Sequence, residues 1–334
     1  MRTVLVSVGK LRRTAVAASS AAILIVGATA CGSDDDETGA AGRGTAEVVV
    51  TTNILGDVVR TIVGEDAEVE VVMPPSSNPH DFSPSAQQAA AMREAAVIVV
   101  NGRGFEEGLL DTVAAAEDDG AVVVAATDGL PETGEHGEEL DEADEHADEH
   151  ADEHDHEEDA HFFTDPVLMA AAVEHLAEEL RAHVPALDTD AFGDRVDAYL
   201  AELEALAAEV DEILAAVPEE RRTLVTNHDV LGFFADRYGF EVLGVIIPGG
   251  STLAEPSAAD LTDLAAAVER AGVPALFAET SSPARLAEAL AGEGANVEVV
   301  ELFTESLGEA GSGADTYLGM VRTNAQRIAD ALAA

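Results

Sequence analysis

Apolar positions along the chain alternate between two kinds of pattern. Short runs rich in valine and isoleucine predict strands at 46–52, 67–73, 95–101 and 121–127. The intervening segments 85–95 and 105–117 are helical in pattern. After Pro218 the alternation resumes, with predicted strands at 223–227, 241–247, 275–280 and 297–302. Strands that alternate with helices indicate a parallel sheet covered by helices.

Two segments in the middle of the chain predict helices, at 166–183 and 188–217. The second runs without an internal proline and would extend about 45 Å. We therefore expect an α/β fold of two lobes, 46–187 and 218–334, each with a mainly parallel sheet flanked by helices. The helix 188–217 would join them, and the cleft between lobes is the natural place for a ligand.

The N-terminal segment predicts export. Basic residues precede a short apolar run that ends at Cys31, which is typical of a signal peptide over 1–30. "ATAC" resembles a bacterial lipobox, with Ala28 where leucine is usual, and implies that Cys31 is lipidated. A lone buried cysteine is the alternative. With 31–45 as a flexible tether, we expect a protein anchored by lipid to the outer face of the cytoplasmic membrane.

The charge balance favours cations as partners. The chain has 66 acidic and 17 basic residues, for a formal net charge of -49. That charge excludes nucleic acid and an anionic membrane surface as electrostatic partners. Because lipidation of Cys31, the one cysteine, would leave no thiol, a metal site must use nitrogen and oxygen ligands.

An acidic, histidine-rich segment interrupts the first lobe at 128–160. It has almost no large apolar side chains, so we expect a mobile loop. The repeat "ADEHADEHADEH" would align histidines on one helical face, where they can chelate metal weakly. The candidate auxiliary ligands are His136, His146, His150, His154 and His156. The alternative is a solubilising charge run with no metal role.

Four candidate ligands each follow a predicted strand: His80, His161, His228 and Glu305. In open α/β sheets, ligands bind beyond the carboxyl ends of the strands. Because two candidates fall in each lobe, they can converge across the cleft. Three imidazoles and one oxygen suit four-coordinate Zn²⁺ better than Ca²⁺ or Mg²⁺. His175 and His183, on the helix 166–183, are interpreted as ordinary helix residues.

These segments resemble the zinc/manganese ABC-transporter substrate-binding lipoproteins, also called cluster A-I. The resemblance covers about residues 46–334. Its motifs are "TTNILGDVVRTIVGEDAEVEVVMPPSSNPHDFSPS", "HFFTDP", "TNHDVLGFFADRYG" and "LFTESLGEAGSGADTYLGMVRTN". The histidine in "TNHDV" is typical of zinc-type members, since manganese-type members tend to have glutamate there. The acidic, histidine-rich loop is also similar to zinc-type members.

The resemblance implies that His80, His161, His228 and Glu305 are the metal ligands. The family usually has aspartate at the fourth position, so the longer Glu305 is a departure, and Asp315 is the alternative. Asp165 and Asp229 are candidates for carboxylates that orient the metal-bound imidazoles. For Asp165, a helix N-cap before Pro166 is an equally good interpretation.

The expected function is that of a high-affinity extracytoplasmic Zn²⁺ receptor, a monomer that delivers metal to the membrane permease of an ABC importer. A Mn²⁺ or broad divalent-metal receptor is the alternative within the family. A surface metal buffer or adhesin without a transport role is the alternative outside it. No HExxH, GxSxG or Cys-His pattern is present in the sequence, so we expect no enzymatic activity.

Overall fold

The computed structural model describes residues 47–131, 159–254, 256–282, 285–293 and 297–333. The predicted signal peptide, the tether with Cys31, and the five auxiliary histidines lie outside these residues. These described residues belong to one compact unit. No helix in the described part of the chain combines the length and apolar character that crossing a bilayer requires.

The first lobe is built on a four-stranded parallel sheet. Its strands are β1 (Val48–Val50), β2 (Val69–Val71), β3 (Val97–Val100) and β4 (Val122–Ala125), in the order β2-β1-β3-β4. The helices of this lobe are α1 (Asn53–Val63), α2 (Ala86–Glu94), α3 (Leu110–Asp118) and α4 (Pro166–His183). β1 and β3 are buried on both faces, which explains why they are continuous valine and isoleucine runs.

The second lobe repeats the same plan. Its strands are β5 (Thr223–Thr226), β6 (Glu241–Val245), β7 (Ala275–Glu279) and β8 (Glu298–Leu302), in the parallel order β6-β5-β7-β8. Its helices are α6 (Gly232–Tyr238), α7 (Ala258–Ala271), α8 (Arg285–Glu293) and α9 (Tyr317–Ala333). The expected pair of parallel sheets flanked by helices is confirmed.

One long helix, α5 (Asp190–Leu214), connects the lobes. It has 25 residues and is shorter than the expected helix 188–217 because its ends are capped inside that range. At its start, the hydroxyl of Thr189 accepts a hydrogen bond from the Phe192 amide at 3.2 Å. At its end, the Arg222 guanidinium donates to the Leu214 carbonyl at 3.3 Å. Its length is thus about 37 Å.

One apolar cluster spans both lobes, and each sheet has a smaller separate cluster of its own among the described residues. Buried side chains from β1, α4, α5, β5 and α9 belong to the same cluster. Among its fully buried members are Phe163 from the first lobe and Tyr317 at the start of α9. Relative movement of domains is expected when the interface is small and polar. A shared apolar core instead restrains the two lobes.

Candidate metal centre

The four candidate ligands come together at the carboxyl edges of the two sheets. His80, His161, His228 and Glu305 each have one donor atom within 4.8 Å of the others, and all four are buried. His228 follows β5 and faces β7. The strand order of the second sheet reverses between these two strands, which is where ligands bind in open α/β sheets. The predicted convergence of imidazoles from both lobes is therefore what the structure contains.

The donor atoms are arranged around one carboxylate oxygen. Glu305 Oε1 lies 2.6 Å from His80 Nε2, 3.7 Å from His161 Nε2 and 3.1 Å from His228 Nε2. The Nε2 atoms of His161 and His228 are 3.4 Å apart. Ligand atoms of tetrahedral zinc lie roughly 3.3 Å from one another, given bonds of about 2.0–2.1 Å. Small side-chain movements would convert this cluster into such a coordination shell.

Glu305 itself fits a cation. It is 2% exposed, and its second oxygen, Oε2, has no hydrogen-bond partner among the described residues. A buried carboxylate oxygen without a partner is costly unless something positive meets it. Asp315, the alternative fourth ligand, is exposed and accepts a hydrogen bond from the Gly311 amide at 2.9 Å. The structure therefore brings Glu305, and not Asp315, to the three imidazoles.

Each imidazole has a carboxylate on its other nitrogen. His80 Nδ1 lies 3.0 Å from Glu107, His161 Nδ1 lies 2.8 Å from Asp159, and His228 Nδ1 contacts Glu279. Such partners set the tautomer so that Nε2 is free to bind metal, and they raise the basicity of the ligand.

The carboxylates that sequence reasoning assigned to this role lie elsewhere. Asp165 caps α4 by accepting from the Val167 amide at 2.8 Å, and it lies 3.5 Å from Arg237. The capping interpretation of Asp165 is thus the one that the structure contains. Asp229 lines a cavity of about 330 Å³ next to the site. The carboxylates that contact the imidazoles are Glu107, Asp159 and Glu279. The prediction of Asp165 and Asp229 for this role is therefore corrected.

The sequence held a usable signal for one of the three. Glu279 is the last residue of the apolar strand β7, so it is a carboxylate at the carboxyl end of a strand, close to where the ligands were expected. Asp159 is hidden in an acidic run just before His161. Glu107 comes seven residues after β3, in a short 3₁₀ turn whose position is set by tertiary contacts. Gly108 permits this because a Cβ there would lie 2.0 Å from the Phe82 carbonyl oxygen.

Apolar rings and a buried carboxylate hold the first-lobe side of the site. The Phe105 ring lies edge-on to His80 and to His161, with both centroid distances 5.5 Å. Next to it, buried Glu106 accepts from the Thr51 hydroxyl at 2.5 Å and from the Asn101 amide at 2.6 Å. Burial raises the pKa of Glu106. These bonds tie the turn that carries Phe105 to the ends of β1 and β3.

The carboxylates make two of the imidazoles, His161 and His228, stronger bases. Burial alone would lower the pKa of His228, but Glu279 and Glu305 outweigh it and raise the pKa to about 10. Burial would also lower the pKa of His161, but hydrogen bonds with Asp159 and Glu305 outweigh it and raise that pKa. Burial would raise the pKa of Glu305, but hydrogen bonds from the three imidazoles hold it well below 4.5. The site therefore favours positive charge, whether protons or a metal.

The other two helix histidines stay outside the cluster. His183 is exposed and lies 3.4 Å from Glu179, one turn back on α4. His175 is half-buried on the same helix, against Gly129. Neither belongs to the cluster of candidate ligands.

Known proteins share this architecture. A family model described as "Zinc-uptake complex component A periplasmic" matches residues 48–331. The chain belongs to this family. Members of the zinc-uptake component A family are substrate-binding receptors of ABC transporters and not enzymes, as the sequence resemblance implied.

Relatives within the zinc-uptake component A family are named for different metals. The chain is 33% identical, over 299 residues, to the zinc-binding protein TroA of Treponema pallidum (strain Nichols), covering 88% of this chain and 91% of TroA. It is 27% identical, over 301 residues, to the manganese-binding lipoprotein MntA of Halalkalibacterium halodurans, covering 88% and 93%. A solved structure of the periplasmic zinc-binding TroA superposes with a TM-score of 0.74, at 32% identity, covering 86% and 99%.

Neutralising Glu279 should weaken zinc binding without a change of shape. In Glu279→Gln, the amide oxygen can still accept from His228 Nδ1, but the charge that makes the imidazole a better ligand is lost. We expect zinc affinity to fall by about 10- to 100-fold in a competitive titration. Asp165→Asn is the matched control and should leave the affinity within about twofold. Equal losses in both variants would return Asp165 to the role that the sequence suggested.

Proposed function

We propose that this protein is a high-affinity extracytoplasmic receptor that binds Zn²⁺ between its lobes and delivers it to the permease of an ABC importer. The observation that carries the proposal is the meeting of three Nε2 atoms at Glu305 Oε1 in a buried cluster. Its four proposed ligands are His80, His161, His228 and Glu305. Three nitrogen donors favour zinc over manganese.

Capture would proceed by ligand exchange. The cavity beside the cluster offers an approach route lined by three carboxylates, Glu107, Asp159 and Asp229, and one guanidinium, that of Arg103. The net negative charge of this lining attracts a hydrated cation. The four side chains then replace the waters of the ion, and zinc displaces the protons that the imidazoles hold. Because a closed four-ligand site holds zinc tightly, release requires the permease to separate the two sides of the site.

Several finer features belong to the same proposal. The segment 1–30 would be removed as a signal peptide, and lipidated Cys31 would anchor the mature monomer at the outer face of the cytoplasmic membrane through the tether 31–45. The lobe boundaries 46–187, 188–217 and 218–334 also stay predictions. The histidines of the acidic loop 128–160 would collect zinc weakly and pass it to the cleft.

Manganese is the second candidate substrate, because the relative MntA is named for it. We expect Zn²⁺ to bind more tightly than Mn²⁺ and to displace it in competition calorimetry on the purified mature protein. A variant that lacks 132–158, and so retains Asp159 beside His161, should keep one tight zinc site and lose only weak binding. Tighter binding of Mn²⁺ would reverse the choice of metal.

Transport is tested in cells. A deletion strain should grow poorly under zinc chelation, and the wild-type gene, but not one encoding His228→Ala, should restore growth. Unimpaired zinc uptake by the deletion strain would favour a surface metal buffer or adhesin instead.

A further inference from the structure

The side chain of Asn53 joins three separate segments near the metal centre. It is the first residue of α1 and is 7% exposed. Its Nδ2 donates to the Pro74 carbonyl at 2.9 Å and to the Ser306 hydroxyl at 2.8 Å, and its Oδ1 accepts from the Leu307 amide at 2.7 Å. Pro74 lies in the loop that leads to His80. Ser306 and Leu307 directly follow Glu305.

A second contact holds the same point from the other side. The Ser76 amide donates to the Leu307 carbonyl at 3.1 Å, so both backbone polar groups of Leu307 are bonded to the first lobe. Ser76 has a φ of 62°, a left-handed conformation that a non-glycine residue keeps only when its surroundings hold it there. The loop before His80 and the segment after Glu305 are therefore held together. We call the contacts of Asn53 and Ser76 with Ser306 and Leu307 the clasp.

The segment beyond Glu305 is bonded to the first lobe at its far end as well. The Tyr317 amide donates to Asp57 on α1 at 2.8 Å. The Tyr317 hydroxyl, which is fully buried, donates to the Phe163 carbonyl at 2.9 Å. Although this segment follows β8 in the chain, these hydrogen bonds attach it to the lobe that carries His80 and His161. One further bond, from the Thr323 hydroxyl to the Gly313 carbonyl at 3.0 Å, joins it to α9.

His228 is attached differently. The Thr226 hydroxyl donates to the His228 carbonyl at 2.7 Å, and Glu279 contacts its ring from the end of β7. Both partners belong to the second sheet. Hydrogen bonds thus attach three of the ligands to the first lobe and only His228 to the second. Chain order instead places two ligands in each lobe.

We propose that Asn53 is a positioning residue for zinc capture, because it fastens the Glu305 segment to the first lobe. His80, His161 and Glu305 then form one preorganised half of the site, and His228 closes it from the other sheet. A side chain held in its binding geometry loses less conformational entropy when metal binds. The inference rests on the proposed function, since it assumes that Glu305 is a ligand.

The test compares Asn53→Ala with a matched variant, Asn324→Ala. Asn324 on α9 also makes two hydrogen bonds to the strand end before Glu305, with the Phe303 amide at 2.9 Å and the Phe303 carbonyl at 2.8 Å, but these stay within the second lobe. We expect Asn53→Ala to raise the zinc Kd about tenfold, since the Glu305 segment is then no longer held in its binding geometry before metal arrives. Asn324→Ala should raise it less than about threefold. Equal effects would overturn the proposal.

A double-mutant cycle shows whether Asn53 acts through Glu305. In a Glu305→Ala background, Asn53→Ala should change the zinc Kd by less than about twofold. An undiminished tenfold effect in that background would mean that Asn53 acts on the whole fold, and the positioning role would be wrong. If Asn53→Ala does not fold, Ser306→Ala provides a milder test, because it removes one hydrogen bond of Asn53. We then expect the zinc Kd to rise about threefold. An unchanged Kd would count against the clasp.

A metal-free measurement separates this inference from the proposed function. Hydrogen exchange at the Leu307 and Ser76 amides should be at least about tenfold faster in metal-free Asn53→Ala, and unchanged in Asn324→Ala. If the wild-type protein failed to bind zinc, the proposed function would fall, yet this result would still report on the clasp. Unchanged exchange at both amides in Asn53→Ala would show that the clasp does not hold the segment.

Discussion

Replacing His228 by alanine should produce the largest loss of zinc binding. Binding of zinc by four protein ligands amounts to roughly 10–16 kcal/mol, so one ligand of four accounts for about 3 kcal/mol, or roughly 100-fold in affinity. The loss should be at least this large, because His228 is the ligand from the second sheet. Competition with a chromophoric chelator measures the change.

The same substitution should destabilise the metal-free protein. His228 lies between two buried carboxylates, Glu279 and Glu305. When the imidazole is removed, Glu279 loses the partner of its Oε1, while Glu305 keeps His80 and His161. Breaking a buried ion pair from one side costs about 3 kcal/mol of unfolding free energy, measured in urea. The control is His183→Ala, whose exposed ring pairs only with Glu179 in the described contacts. A zinc affinity within threefold of wild type would place the ion away from His228.

Zinc affinity should rise steeply with pH. The pKa of His228 is about 10, so its ring carries a proton at neutral pH that zinc must displace. The raised pKa of His161 adds to this competition between protons and metal. We expect the association constant to increase at least about tenfold per pH unit between about pH 6 and 8. Calorimetry in two buffers of different ionisation enthalpy should detect at least about one proton released per zinc. A flat profile would contradict this assignment of protons.

Glu279→Gln provides the internal control for that profile. Removing the Glu279 charge takes away a main cause of the raised pKa of His228, so the ring should lose its proton at lower pH. The affinity of this variant should level off at lower pH than that of the wild type. A profile identical to wild type would show that the titrating group is not His228.

The stability of the metal-free protein should follow the opposite trend. The pKa of His228 in the folded state lies above its ordinary value of 6.5, so its contribution is complete below about pH 6.5 and is lost as the pH rises towards 10. Glu305 has a lowered pKa, so its contribution is present above about pH 4.5 and is lost in acid. Thermal unfolding with chelator present should therefore show a falling midpoint from about pH 6.5 to 9, while saturating zinc removes the fall.

Much of the architecture was readable from the chain alone. Alternating apolar runs predicted two parallel sheets, because strands buried on both faces must be apolar throughout, as β1 and β3 are. The long helix was also predicted, but its ends depended on Thr189 and Arg222, whose capping bonds involve geometry that composition does not reveal. Where a helix ends depends on whether capping bonds form at that point or the helix continues for another turn.

The sequence by itself determined which residues meet at the site. His80, His161, His228 and Glu305 each follow a strand, and parallel strands bring their carboxyl ends to one edge whatever the details of packing. Only the tertiary structure decided which carboxylates orient the imidazoles and which side chain fastens Glu305. Glu107, Glu279 and Asn53 act across gaps of 27, 51 and 253 residues in the chain. Contacts at such separations depend on how loops and helices pack against each other, and a periodic pattern of apolar residues carries no record of that.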